Sequence, residues 1–210
     1  MFFWEYSYQL RSNFILVDHN MAQPLIFDIE TQHAFTDVGY DHKKLKVSVV
    51  GIFDYATNEY EAYFENELSQ LFVKMEHASF IIGFNINKFD LPVLSPYYLG
   101  NIFQFPALDI LDEVEKNLGF RVALDDLARA TLGTKKSGHG LLAIDYFKRG
   151  ELQKLKNYCL DDVRITRQLY EYGRDRGVLH FLTSKGIRNI KVSFKKEDKS
   201  KKSVTLSLPF

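Results

Sequence analysis

Asp28 and Glu30 stand one residue apart at the end of the apolar run Leu25-Ile26-Phe27, within the stretch from Pro24 to Thr31. The run is too short for a helix and too continuously apolar for a surface strand, which fits a strand at the centre of a sheet covered on both faces. Side chains alternate along a strand, so both acids project from one face, about 7 Å apart along the backbone. Two acids facing one way repel, and burying either costs several kcal/mol unless a cation sits between them. A divalent metal bound by oxygen ligands removes that conflict. The alternative is that both acids lie past the strand end, in solvent.

Two further stretches carry residues of the same kind. Gly83-Phe84-Asn85-Ile86-Asn87-Lys88-Phe89-Asp90-Leu91-Pro92 begins where a second apolar run ends, and in open α/β sheets sites form at such strand ends. Asp90 is a third acid able to join the first two. Asn85 and Asn87 offer amides to phosphates or base edges, and Phe89 offers a ring for base stacking. Each also has a structural reading: Asp90 as a helix N-cap, the asparagines as turn residues, Phe89 as core. In Asn157-Tyr158-Cys159-Leu160-Asp161-Asp162-Val163-Arg164-Ile165, Tyr158 and Asp162 lie at i and i+4, on one helix face. Ile165 and Leu169 continue that face, where an unpartnered carboxylate is costly and metal ligation accounts for it. Asp161 is turned by about 100° towards water. Cys159, among Leu155 and Val163, reads as a small core residue.

The elements that must position these residues follow from the pattern. Lys46–Phe53 and Glu59–Phe64 read as strands that form an antiparallel meander with the first. Asn66 can cap a helix carrying Leu68, Leu71, Phe72 and Met75. Phe80–Phe84 then reads as a buried strand parallel to the first, because a helix lies between them, and Ala107–Ile110 as a further short strand. Helices are expected over Leu124–Leu132, Leu141–Arg149 and Glu151–Tyr172, each stopped by a glycine: Gly133, Gly150 and Gly173. Ile190–Phe194 and Val204–Leu208 read as a hairpin around a Lys-rich loop. The expected fold is a mixed α/β sheet, a three-strand meander plus parallel strands, flanked by helices.

Composition sets outer limits. The 210 residues are 46% hydrophobic and 15% aromatic, enough for one compact domain with a sizeable core. No apolar run approaches the ~18 residues of a membrane span, and Met1-Phe2-Phe3-Trp4 lacks the basic region and cleavage site of a signal peptide. A lone cysteine excludes an internal disulfide and points to a reducing, cytoplasmic setting. The 27 basic and 27 acidic residues cancel, but Lys185–Lys202 holds eight Lys/Arg against two Asp/Glu. That surplus of six must be balanced by six negative charges elsewhere. The segment reads either as a solvated tail or as an arm whose lysines contact phosphates. The expected organisation is a lead-in over residues 1–20, a main domain over 21–184 and a basic hairpin or tail over 185–210. Met21, just before the first strand, is an alternative start.

Together, Phe27-Asp28-Ile29-Glu30-Thr31, Gly83–Ile86 with Phe89–Pro92, and Tyr158–Asp162 resemble the three motifs of the ribonuclease-H-like 3′-to-5′ exonucleases with four acidic residues and a tyrosine. They are most similar to those of the proofreading domain of family B DNA polymerases and of polymerase-B-related exonucleases that occur alone or beside helicases. Order and separation match, and the similarity extends over Leu124–Gly133 and Gly138–Phe181. Lys88 departs from the neutral residue common in polymerases, and a polymerase domain is absent. The resemblance implies a ribonuclease-H-like fold and hydrolysis at the 3′ end of single-stranded nucleic acid, DNA ahead of RNA. It implies Asp28, Glu30, Asp90 and Asp162 as ligands of two Mg²⁺ or Mn²⁺ ions, Tyr158 as the group that orients the water, and Thr31, Asn85 and Phe89 as contacts to the terminal nucleotide. A polymerase or helicase is the implied partner. His139 is left as a loop residue, since the histidine of the sister group falls where this chain has Tyr158. A nuclease-like fold that only binds nucleic acid or a protein, and a 3′-to-5′ exoribonuclease, are the competing readings.

Overall fold

The computed structural model of the chain describes residues 22–134 and 141–194. The lead-in, Met21, His139, the lysines from Lys195 onward and Val204–Leu208 lie outside the described residues.

Strand β1 (Leu25–Thr31) is central in a five-stranded sheet of order β3-β2-β1-β4-β5. It pairs antiparallel with β2 (Val47–Asp54), which pairs antiparallel with β3 (Glu59–Phe64). On its other side it runs parallel to β4 (Ile81–Gly83), which is parallel to β5 (Ala107–Asp109). The mixed α/β sheet expected from the pattern is the observed one, and helices cover both faces as an apolar central strand requires.

Alternation along β1 divides two cores. Leu25, Phe27 and Ile29 pack with Leu71 and Met75 of α1 (Leu68–His77) and with Leu91 and Leu94 of α2 (Asp90–Leu94). Ile26 points the opposite way, into a cluster with Val163, Ile165 and Leu169 of α6 (Leu152–Arg176). Asp28 and Glu30 share the parity of Ile26, so the strand aims both acids at α6. That cluster also takes in α3 (Ile110–Leu118) and α4 (Leu124–Leu132), while Ala143 of α5 (Leu141–Lys148) packs on Leu155 and Tyr158.

Several expected boundaries move. Gly173 does not end α6: the helix runs on to Arg176 and stops at Gly177, whose φ of 68° is left-handed. Gly173 is instead a gap for a ring, since a Cβ there would lie 2.2 Å from Phe194. The α1 cap is not Asn66; a 3-10 turn over Glu65–Glu67 intervenes, and Glu67 accepts the Phe64 N–H at 2.9 Å. Ile190 pairs with Leu179, because Val178–Thr183 (β6) and Gly186–Lys191 (β7) form the hairpin. Helix α3 was not anticipated by the pattern; Asp109 caps its start and Gly119, at φ 82°, its end.

Candidate active site

Oxygen atoms of Asp28, Glu30 and Asp162 all lie within 4.8 Å of one another. Two come from one strand and the third from a helix about 130 residues later, so the approach of α6 to the sheet sets the geometry. Gly51 permits that approach. It is the β2 partner of Asp28, and a Cβ on it would meet Cys159 Sγ and Val163 Cγ2 at 3.0 Å each. Its N–H donates to Cys159 Sγ at 3.1 Å, and that thiol donates to the Asp28 carbonyl at 3.4 Å. Cys159 is thus a core spacer between helix and sheet, and burial pushes its thiol well above the ordinary value. Replacing Gly51 by Val should push α6 outward. We expect a stability loss of about 1–3 kcal/mol from overpacking. Denaturant unfolding measures that loss.

Asp90 stands outside that tight group but lines the same cleft. It is the first residue of α2 rather than its cap and is only 2% exposed. Burial, then the charges of Asp28 and Asp109, hold its carboxyl well above the usual range, and the backbone N–H groups of Asp90 and Ile29 bring it partly back. Its Oδ1 has no hydrogen-bond partner among the described residues. A buried carboxylate oxygen left so, beside three gathered acids, fits a cation-binding site of oxygen donors.

Tyr158 and Asp162 share a face of α6 and are both buried. The tyrosine does not line the cleft among the described residues: it packs with Val49, Ala143 and Leu155, its ring edge-on to Tyr146 at 6.5 Å. Thr31, Asn85 and Phe89 do line the cleft. The Thr31 hydroxyl donates to the His33 carbonyl at 2.9 Å, which leaves its lone pairs to a ligand. The Asn85 side-chain oxygen accepts from Arg121, and Asn87 is turned away, donating to Asp112 at 2.8 Å. Phe89 lies edge-on to Phe35 at 5.6 Å, so the two rings form an aromatic wall.

The strand end that carries Glu30 is anchored from outside. Gln32 donates to the Val47 carbonyl and to Glu65, both at 2.8 Å, and Tyr97 donates to the other Glu65 oxygen at 2.6 Å. Burial and that carboxylate push the Tyr97 hydroxyl up to about 12.

Asp109 is the residue the motifs did not flag. Its two oxygens accept the backbone N–H groups of Asn85 (2.8 Å), Asn87 (3.0 Å) and Leu111 (3.0 Å). It thereby fixes the loop before Asp90, in which Asn85 takes a left-handed φ of 70°. The available signal was an acid at the junction of a short apolar run and an amphipathic one, a helix-cap position. In Asp109→Asn one oxygen becomes an NH₂ facing a backbone donor, so urea unfolding should show a loss of about 2 kcal/mol.

Residues 25–173 match the RNase H superfamily. Among solved structures, the crystal structure of Trypanosoma brucei RNase D aligns with a TM-score of 0.51 and 17% identity, over 73% of this chain and 58% of that one. At that identity the likeness is one of fold, and the chain spans little more than half of the RNase D chain. No curated protein matches the sequence.

Proposed function

The chain belongs to the RNase H superfamily, and on that footing we propose that it is a metal-dependent 3′-to-5′ exonuclease acting on single-stranded nucleic acid in the cytoplasm. The observation that carries this is the meeting of Asp28, Glu30 and Asp162 within 4.8 Å, with the buried Asp90 in the same cleft. Asp28, Glu30 and Asp162 would hold the cations, with Asp90 completing the oxygen set. Mg²⁺ or Mn²⁺ suits such a set better than zinc, which more often recruits His or Cys. Two such ions held by these carboxylates would supply Lewis-acid activation of the attacking water and charge stabilisation at the leaving 3′-oxygen.

The chain's own groups orient the substrate. The Phe89 and Phe35 rings supply a stacking wall for the terminal base, with Thr31 and Asn85 at its polar edge. The motif resemblance gives Tyr158, one turn before Asp162 on the same face of α6, the role of ordering the attacking water, although its ring packs behind the cleft. Its hydroxyl acts as a hydrogen-bonding group rather than a base. Tyr158→Phe is therefore expected to reduce kcat about 10-fold and leave KM nearly unchanged, the effect of one lost oriented hydrogen bond. A steady-state pair of kcat and KM values checks it.

The motif resemblance to family B proofreading domains favours DNA, and a polymerase or helicase as partner. The structural likeness to RNase D favours a second reading, a 3′-to-5′ exoribonuclease. Digestion of 5′-labelled single-stranded DNA and RNA side by side, with Mg²⁺, Mn²⁺ and chelator, separates them. A ladder shortening from the 3′ end and abolished by chelator is the expected result. Binding of both strands with cleavage of neither would replace the enzyme by a binding module.

A further inference from the structure

The aromatic wall does not stop at the cleft. Phe35 is stacked with Tyr40, ring planes 17° apart and centroids at 6.1 Å. His42 lies edge-on to Phe35 at 4.9 Å and to Phe89 at 6.1 Å. Tyr40 and His42 then line a second concavity of about 450 Å³, together with Asp41, Lys43 and Phe103. Two rings stand out into solvent there, Tyr40 at 70% exposure and Phe103 at 56%. Tyr40 is held in that position by a left-handed backbone, φ 64°, a conformation uncommon for an aromatic residue.

The groove is lined by one carboxylate and one ammonium. Asp41 is occupied: it accepts the Lys43 backbone N–H at 3.0 Å and pairs with Lys44 at 3.7 Å. Lys43 is exposed, and its ammonium has no ion pair among the described residues. Exposed rings interleaved with an available ammonium match a strand of nucleotides, whose bases offer π faces and whose backbone offers phosphates.

We propose that this groove holds the nucleotides immediately 5′ of the one being removed, with bases stacked on Tyr40 and Phe103 and a phosphate on Lys43. The proposal rests on the exonuclease reading for the direction of the strand and deepens it. The continuous contact Phe89–Phe35–Tyr40 leads from the acids into the groove, so a single strand can occupy both without a break. A terminal nucleotide alone reaches only the cleft, whereas a longer strand gains the groove as well.

The test compares 5′-fluorescein-labelled two-nucleotide and eight-nucleotide strands, of deoxythymidine and of uridine, by anisotropy in chelator, where no cutting occurs. Tyr40→Ala and Phe103→Ala should each weaken the eight-nucleotide strand about 10-fold, and Lys43→Gln should lower the slope of log affinity against log salt by about 0.7. The two-nucleotide strand, which offers the groove a single base, should be weakened by at most one of the two ring substitutions. Circular dichroism confirms folding, which exposed side chains do not govern. Equal affinities of variant and unmutated protein for both eight-nucleotide strands would overturn the proposal, as would no binding by the unmutated protein. Failure of the exonuclease reading looks different: binding retains its dependence on these residues while no strand is cut in Mg²⁺ or Mn²⁺.

Discussion

Asp162→Asn is expected to lower metal-dependent cleavage by at least about 100-fold, whereas Asp161→Asn leaves it within a few-fold. The two substitutions remove the same charge from adjacent positions of one helix, so any general electrostatic effect on substrate is shared. What differs is direction, by about 100°. Asp162 is 2% exposed and gathered with Asp28 and Glu30; Asp161 is 37% exposed at its side chain and pairs with Arg164 one turn on. Losing a ligand removes most of the transition-state stabilisation a bound ion supplies, which is several kcal/mol. Losing an exposed carboxylate changes stability by about 0.5 kcal/mol or less. Single-turnover rates on an end-labelled strand, with binding followed separately, measure the contrast. The assignment is wrong if Asp161→Asn abolishes cleavage and Asp162→Asn does not.

The second large effect is on stability. In chelator, three carboxylates within 4.8 Å oppose one another, and a cation that binds the folded chain but not the unfolded one relieves this. At a concentration about 100-fold above its Kd, such an ion adds about 2.7 kcal/mol. For a chain of this length that corresponds to a rise in Tm of about 5–10 °C. Asp28→Asn should raise the Tm measured in chelator, because one repelling charge is gone, and should cancel most of the rise produced by Mn²⁺. Melting curves of both proteins, with and without Mn²⁺, supply the four values needed. A Tm rise retained in Asp28→Asn would mean that the ion binds elsewhere.

How much of this was legible beforehand depended on how local the signal is. β1 and its acids were readable because a strand's two-residue period fixes the facing of Asp28 and Glu30 without reference to other elements. Asp162 was readable because helical spacing places it on an apolar stripe. Asp109 was not: its role lies in accepting N–H groups from Asn85 and Asn87, more than 20 residues earlier, and nothing near it in sequence indicates that. The end of α6 was misplaced for a similar reason. Gly173 looks like a stop, and only the ring of Phe194 against it shows that a missing side chain, not a left-handed φ, is what the position requires. The β6–β7 hairpin escaped because Val178–Thr183 follows a long helix closely and lacks clean alternation. The wall of Phe35, Phe89 and Tyr40 joins a loop to the start of α2, a contact that no periodicity encodes.

Between Glu30 and Thr31 the pairing of β1 with β2 slips by one residue: Glu30 faces Val49 and Thr31 faces Val47, with Ser48 left over. The slip separates two frames of reference. Everything on the Leu25 side of it is locked to β2 and to α6, so the acids tolerate no change of register. The segment beyond it, which carries Phe35, Tyr40 and Lys43, hangs from a joint that already absorbs a mismatch in length. Length changes within residues 36–44, which leave Phe35 and the buried Leu45 in place, would therefore reshape the groove that carries Tyr40 and Lys43 without moving the gathered acids. For the proposed exonuclease, a library randomised over residues 36–44 should yield altered strand selectivity with the chemical rate retained.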